Sequence, residues 1–395
     1  MRGLDLLLAA ASAPVALAAS YLLGATLLSA RRSEPPSPDP ARRFRFVVPA
    51  HNERAGIAAT VESLLGVDYP EELREVVVVA DNCQDDTAVQ ARAAGAIVLE
   101  RNDLQLRGKG YALHHAFERT PESVDAVVVI DADTLVSRNI LRAFAARREL
   151  GADAMQADYA VRNPNASWRT RLIAIAFGSF HIVRSRAREA LGLSCGLRGN
   201  GMCFSRALLQ KVPHDAFSVV EDVEYGIRLG EAGYRVHYAD EAHVYGEMVS
   251  TASAASSQRR RWEEGRSELV RRHALRLLGA GVRRKDRVLF DLALDLLIPP
   301  LSRIAAAAVL GLGASLGLSL LSGVPALSAA SWGFSLVSVG VYVIRGWSVS
   351  GTGLRGLVDL ACAPIYVVWK FSLRFRRPER PTSTWVRTER EQKAP

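Results

Sequence analysis

Cysteine is scarce in this chain, with four in 395 residues, and Cys83, Cys195, Cys203 and Cys362 show no C-x-x-C spacing. That excludes a disulfide scaffold and a zinc ribbon, and it suits a reducing compartment. No G-x-G-x-x-G follows the first β-rich run and no G-x-x-x-x-G-K-[ST] is present, which disfavours a hydride-transferring dinucleotide enzyme and a P-loop protein. Internal repeats of solenoid length are absent as well. Neither sign of charge dominates: 50 Lys+Arg against 41 Asp+Glu leave +9. A surplus of that size suits nucleic acid, an anionic leaflet or a phosphorylated substrate alike. The chain is rich in apolar surface, with 49% hydrophobic residues and a mean hydropathy of +0.06, high for a soluble domain.

The apolar residues concentrate at the two ends. Residues 6–28 carry no charge and are long enough, at about 1.5 Å per helical residue, to cross a hydrocarbon core of about 30 Å. They read as a transmembrane anchor; a cleaved signal peptide is the alternative, but the run exceeds a usual signal core and ends in Ala30-Arg31-Arg32. Basic residues after the segment place the adjoining region in the cytoplasm. Residues 301–344 read as two further transmembrane helices, 301–321 and 326–344, joined at Gly323-Val324-Pro325 and rich in small residues. The segment 286–298 carries three aspartates and reads as an interfacial helix, while 354–373 is either interfacial or crossing. The tail 374–395 is basic and prefers the cytoplasmic side. Three to five crossings fit these signals, giving a multi-pass protein of the inner (cell) membrane with its catalytic domain in the cytoplasm.

Between the ends, a proline-rich linker at 33–41 precedes a soluble domain at 42–275. Short β-rich runs at 43–50, 74–80, 96–99 and 126–130 alternate with helix-compatible stretches at 55–66, 85–94 and 108–119. Val/Ile-rich strands separated by helices predict an α/β domain, a Rossmann-like parallel sheet buried on both faces, with ligands at the carboxyl ends of the strands.

Polar residues gather at those ends. Pro49, Ala50, His51, Asn52 and Glu53 close the first run, and Asp81 follows the second. Asp85, Asp86 and Thr87 would serve equally to cap the next helix. Asp131-Ala132-Asp133 ends the fourth run; alternate carboxylates at a strand end can converge on one hard cation such as Mg²⁺ or Mn²⁺. Gly108-Lys109-Gly110 allows close backbone approach with a cation beside it, suiting phosphate or a plain turn. After the glycine-rich Gly196–Gly201 comes Val220-Glu221-Asp222, where a carboxylate can accept a proton from an attacking hydroxyl or merely open a helix. Gln258-Arg259-Arg260-Arg261-Trp262 combines diphosphate-binding cations with an indole face for a sugar or base; a membrane-surface patch is the plainer reading.

In this order, these motifs resemble glycosyltransferase family 2, in its membrane-integrated branch of cellulose, chitin, hyaluronan and poly-N-acetylglucosamine synthases. The resemblance covers about residues 43–270 and implies a GT-A domain. It implies donor-binding roles for Pro49, Ala50, Asn52, Glu53, Asp81, Lys109, Asp131, Gln258 and Arg261, and metal ligation by Asp133 with Asp131. It assigns the general base to Asp222 and the acceptor side to Glu221, Gly199, Asn200 and Trp262. Trp385, Val386, Arg387, Thr388 and Arg390 resemble a tail motif of some members. The implied reaction moves a sugar with inversion from a nucleotide donor, UDP-linked, to a saccharide or lipid-linked acceptor in cell-surface or exopolysaccharide synthesis. Val220 departs from the usual threonine, and Gly199-Asn200-Gly201-Met202 departs in wording from the synthases' glycine motif. The few spans would need an export partner or a homo-oligomer to enclose a polymer path. A single addition to a lipid phosphate or glycolipid shares the donor site, and a silent membrane scaffold is the reading of another class. Nucleic-acid binding loses to the placement of the arginines near the apolar segments.

Overall fold

The computed structural model describes the backbone of residues 2–248 and 252–372 and the side chains of 2–248 and 265–367. Among the described residues, eight strands form one sheet: β1 (Phe44–Ala50), β2 (Arg74–Asp81), β3 (Ile97–Arg101), β4 (Ala126–Val129), β5 (Thr134–Val136), β6 (Ala154–Val161), β7 (Met202–Ser205) and β8 (Val236–Gly246), in the order β3-β2-β1-β4-β7-β6-β8-β5. Strand β1 is buried throughout because its alternate side chains enter different cores. Phe44, Phe46, Val48 and Ala50 face one with Val76, Val78 and Val128, while Val47 faces the other with Val79, Val127 and Val129. Both cores must be covered, which the helices Ile57–Leu65 and Lys109–Glu118 do from opposite sides.

The parallel arrangement expected from the sequence holds for β3-β2-β1-β4. Beyond β4 the sheet is mixed, which corrects the expectation of a wholly parallel sheet: β7 runs antiparallel to both β4 and β6, β6 runs parallel to β8, and β8 antiparallel to β5. The four-residue β7 carries too little periodicity to announce itself. Its direction is consequential, because the loop entering β7, residues 199–201, arrives where β4 ends. Gly201 N donates to Val129 O at 2.9 Å.

Among the described residues two helices, Arg2–Leu27 and Leu301–Ser322, are long and apolar enough to cross a membrane. The expected second span of the carboxyl-terminal pair is the 22-residue helix Ser328–Val349, less apolar than those two. It packs along Arg2–Leu27, with Ser12 Oγ donating to Ser331 Oγ at 2.7 Å and Trp332 Nε1 to Leu8 O at 3.2 Å. The Asp5 carboxylate accepts from the Leu327 and Ser328 amides at 2.9 and 3.1 Å, satisfying donors at that helix's start. Residues 354–373 break into Gly353–Asp359, a turn at Leu360–Cys362 and Ala363–Ser372. The tail from 373 onward, including Trp385, Val386, Arg387, Thr388 and Arg390, lies outside the described residues.

A helical run from Trp168 to Ala190 joins sheet and apolar helices. It opens on a reciprocal Ser167/Thr170 cap and widens into a π turn at Gly178–Val183. Tyr342 OH donates to Ser179 O in that turn at 2.7 Å, and a Cβ on Gly178 would lie 2.5 Å from Gly346 O. The aspartates of Arg287–Leu297 have partners here too. Asp291 meets Arg188 at 3.1 Å and Tyr21 OH at 3.0 Å, and Asp295 pairs with Arg184 and, at 3.1 Å, with Arg188. Asp286 caps its own helix by accepting from Val288 N and Leu289 N.

Candidate active site

The carboxyl ends of β1, β2 and β4 lie side by side, with β1 pairing β2 on one side and β4 on the other. A crevice forms where the strand order reverses in this way. At the ends of β1 and β2 the backbone turns through two left-handed asparagines, Asn52 (φ 57°) and Asn82 (φ 51°), a conformation asparagine tolerates better than most residues. Their amide oxygens hold the neighbouring loops: Asn52 Oδ1 accepts from Gln84 N at 2.8 Å and Asn82 Oδ1 from Asp103 N at 2.9 Å. Glu53 N donates to Thr87 Oγ1 at 2.8 Å, and Asp85 accepts from Thr87 N at 3.0 Å. Asp85 and Thr87 therefore tie the first two strand ends together, while Asp86, the residue preceding the helix, makes no side-chain cap.

Asp81 is buried, 1% exposed, and its Oδ1 accepts from Arg101 Nη1 at 2.7 Å. Its Oδ2 has no hydrogen-bond partner among the described residues. No sequence motif marks Arg101, although it is the residue directly across from Asp81 in the parallel register of β2 and β3. Arg101→Met is expected to lower unfolding stability by about 3–5 kcal/mol, because it strands a buried charge. Adding Asp81→Asn should recover part of that loss in denaturant titrations.

Lys109 binds the second half of the site together. It opens the helix Lys109–Glu118, and its Nζ lies 2.5 Å from Asp131 Oδ1, 2.6 Å from Gly199 O and 3.7 Å from Glu221 Oε1. The neighbouring Gly110 permits this placement, since a Cβ there would sit 2.2 Å from Ala216 O. The same approach stacks Tyr111 on Phe217, ring centroids 4.3 Å apart. Gly199 has φ 77°, and a Cβ on it would lie 3.4 Å from Asp222 Oδ2 and 3.5 Å from Lys109 Nζ. Asp131, Gly199, Glu221 and Asp222 thus converge on one ammonium, although residues 109, 131, 199 and 221 belong to four separate segments. Glu221 and Asp222 stand in the first turn of the helix Glu221–Glu231.

Asn200, expected on the acceptor side, is fully buried. Its Oδ1 accepts from Asp131 N at 3.1 Å and its Nδ2 donates to Thr134 Oγ1 at 2.8 Å, so its amide fixes the loop that carries Asp131 and Asp133. Gln156 performs a similar service that the sequence does not reveal: Nε2 donates to Asn200 O at 2.7 Å and Oε1 accepts from Arg198 N at 2.9 Å. The side chains of Gln258, Arg261 and Trp262 lie outside the described residues; their backbone belongs to the helix Ala252–Arg284.

Burial dominates the electrostatics. It pushes the Glu221 carboxyl up to about 8, with Lys109 pulling down and Asp222 pushing further up. Asp222 is likewise raised by burial, against the opposing pull of Lys109 and Arg198. For Lys109 burial acts downward, but Asp131, Glu221 and Asp222 together outweigh it and raise the ammonium above its ordinary range. The lysine therefore stays charged, while the acidic pair holds a proton to higher pH than solvated carboxyls would.

Asp131 and Asp133 offer two carboxylates to a cation, and among the described residues no cluster of three or more His, Cys, Asp or Glu forms a self-sufficient metal cage. That donor set fits a hard ion such as Mg²⁺, which is commonly held by one or two carboxylates and completed by substrate phosphates and water.

The family described as glycosyltransferase like family 2 matches residues 40–265, more than half of the 395-residue chain. The chain therefore belongs to glycosyltransferase family 2. Among similar proteins are the probable glycosyltransferase YdaM of Bacillus subtilis (24% identical over 259 residues, 63% of this chain and 60% of that protein) and the beta-monoglucosyldiacylglycerol synthase of Synechocystis sp. (30% over 231 residues, 56% and 47%). Another is the poly-beta-1,6-N-acetyl-D-glucosamine synthase of Staphylococcus aureus (25% over 245 residues, 59% and 57%). The match spans about half to three fifths of the length of these relatives. In architecture the chain resembles the mannosyltransferase PcManGT of Pyrobaculum calidifontis, with a TM-score of 0.54 at 18% identity, covering 87% of this chain and 97% of that one. The fold is thus GT-A-like, and that neighbour was solved with GDP-Man and Mn²⁺.

Proposed function

We propose that the chain is a membrane-seated, inverting glycosyltransferase with its catalytic domain on the cytoplasmic side, taking a UDP-linked sugar to a saccharide or lipid-linked acceptor. The observation that carries this reading is the convergence of Asp131, Glu221 and Asp222 on Lys109 beside Gly199. In the reaction, an acceptor hydroxyl oxygen bonds to the anomeric carbon as the bond to the diphosphate oxygen breaks. The bonding pair leaves with the diphosphate, and Asp222 takes the hydroxyl proton. Attack opposite the leaving group inverts the anomeric configuration and converts an α-linked donor to a β-linked product. Lys109 remains charged throughout and lies where negative charge develops.

Asp81, with an unpartnered buried oxygen at the end of β2, suits a hydrogen-bond donor on the base or ribose. Asp131 and Asp133 would hold a divalent ion, which when bound would neutralise the diphosphate. Asp133→Ala is expected to weaken UDP binding by about tenfold or more in Mg²⁺ and hardly at all in EDTA, measured calorimetrically. Equal affinities for the two proteins in Mg²⁺ would remove Asp133 from the metal site.

Membrane seating is supported by the helices Arg2–Leu27 and Leu301–Ser322. The Synechocystis and Staphylococcus relatives, named for a glycolipid and a polysaccharide respectively, bracket the acceptor class. The deciding experiment incubates the full chain in lipid nanodiscs with a panel of labelled nucleotide sugars and weighs the products. A ladder indicates polymerisation, a single added sugar on lipid indicates glycolipid synthesis, and absence of turnover across a competent acceptor panel overturns the proposal.

A further inference from the structure

Away from the catalytic crevice, a cavity of about 530 Å³ opens beside the turn between the helices Ala252–Arg284 and Arg287–Leu297. That volume lies within the range of about 300–1,000 Å³ typical of ligand sites. Its floor exists because Gly281 lets the two helices touch through their backbones; a Cβ there would stand 2.6 Å from Phe290 N. Leu191, Leu193, Val282, Phe290 and Leu294 give it an apolar lining. Val282 is 62% exposed and Leu191 46% exposed, so the apolar surface is open at its mouth.

The rim carries a run of cationic side chains. Arg283, Arg284, Lys285 and Arg287 lie almost consecutively in the chain, and Lys285 and Arg287 themselves line the cavity. Among the described residues none of these four makes an ion pair. Two acids, Asp286 and Asp291, also line the cavity, but both are engaged elsewhere: Asp286 accepts from Val288 N and Leu289 N, and Asp291 is held by Arg188 and Tyr21. Lys285 also occupies a left-handed conformation, φ 54°, where glycine or asparagine would be less strained. A lysine in that strained conformation points to use of its side chain. The lining also leads into an apolar helix. Leu294 is followed seven residues later by Leu301, where the membrane-length helix Leu301–Ser322 begins. Apolar walls, an unpaired cationic rim and a neighbouring candidate span together match a lipid with a negatively charged headgroup.

We propose that this cavity binds an anionic phospholipid, with an acyl chain against Leu191, Leu193, Val282, Phe290 and Leu294 and the phosphate at Lys285 and Arg287. The lipid would pin the junction of the catalytic domain and the apolar helices to the bilayer surface, independently of donor chemistry.

Native mass spectrometry of the full chain in neutral detergent tests this, with phosphatidylglycerol or phosphatidylcholine added at equal concentration. A one-to-one phosphatidylglycerol adduct is expected to exceed its phosphatidylcholine counterpart by about 10- to 30-fold. Lys285→Gly combined with Arg287→Gln should abolish that preference while relieving the backbone at 285. Leu294→Trp, which fills the cavity and leaves the charges alone, should reduce the phosphatidylglycerol adduct about tenfold. UDP affinity reports whether each variant is folded and is expected to be unchanged. Equal retention of the two lipids, or a preference that survives both variants, overturns the proposal. So does a protein dimer that forms in place of the lipid adduct and is disrupted by the Leu294 substitution.

Discussion

Replacing Asp222 by asparagine is expected to reduce turnover by about 10²- to 10⁴-fold while leaving UDP affinity and the unfolding transition close to those of the parent protein. The substitution preserves shape and removes only the capacity to take a proton. It should also remove a repulsive partner from Glu221, because Asp222 is one of the groups raising that carboxyl. The protein should therefore be no less stable. Single-turnover assays at saturating acceptor isolate the effect, since a general base acts on the chemical step. Full turnover in Asp222→Asn would remove this residue from the mechanism and direct attention to Glu221, which is more deeply buried.

Lys109→Met should have the other large effect, with kcat/KM falling by about 10²- to 10³-fold and the pH profile moving. In the parent protein, Glu221 is held to about 8 and Asp222 is also raised, each partly relieved by the Lys109 ammonium. Activity should therefore rise with pH across a limb above the ordinary carboxylate range, as the pair ionises. Without the ammonium both carboxyls hold their protons more tightly, and the limb should shift to higher pH. Stability should change in the opposite sense. A carboxyl whose native value lies above its unfolded value near 4.5 binds its proton preferentially in the native state. Its contribution is complete below that unfolded value and is lost as pH rises through about 8. The limb in kcat/KM and the decline in unfolding free energy should therefore fall in overlapping pH windows. An acid limb near pH 4 in both proteins would show that the pair is solvated.

The sequence made the β2-β1-β4 part of the sheet legible because those strands are largely buried on both faces and must be dense in Val, Ile and Phe, while the edge strand β3 is half exposed but keeps its Ile-Val-Leu run. It also showed that Asp131 and Asp133 end such a strand. Direction was beyond it: β7 has four residues, and its antiparallel course is set by partners on either side. The Gly199 loop could therefore be recognised as glycine-rich but not placed against Lys109. Arg101 carries no signal of its own because its partner Asp81 is twenty positions away, although parallel pairing makes them neighbours. The aspartates of 286–298 argued against a simple crossing helix. Their counterparts, Arg184 and Arg188, lie in a segment with no distinguishing motif. Only the fold reveals that Arg184/Arg188 and Asp291/Asp295, each spaced by four on a helix, present matching charges. Asn200 shows the converse, a polar residue in a suggestive loop whose amide is committed internally to Asp131 and Thr134.

The widened turn at Gly178–Val183 has a mechanical implication. Gly178 and Gly346 meet backbone to backbone, Tyr342 fastens Ser179 from the adjoining helix, and Arg184 and Arg188 tie the residues that follow to the helix Arg287–Leu297. A joint made this way resists rocking. If the apolar helices are fixed in a bilayer, the catalytic crevice rides at one altitude above it, and reach becomes a selection rule. A short-stemmed glycolipid and a long-stemmed one would present different hydroxyls to the same stationary base.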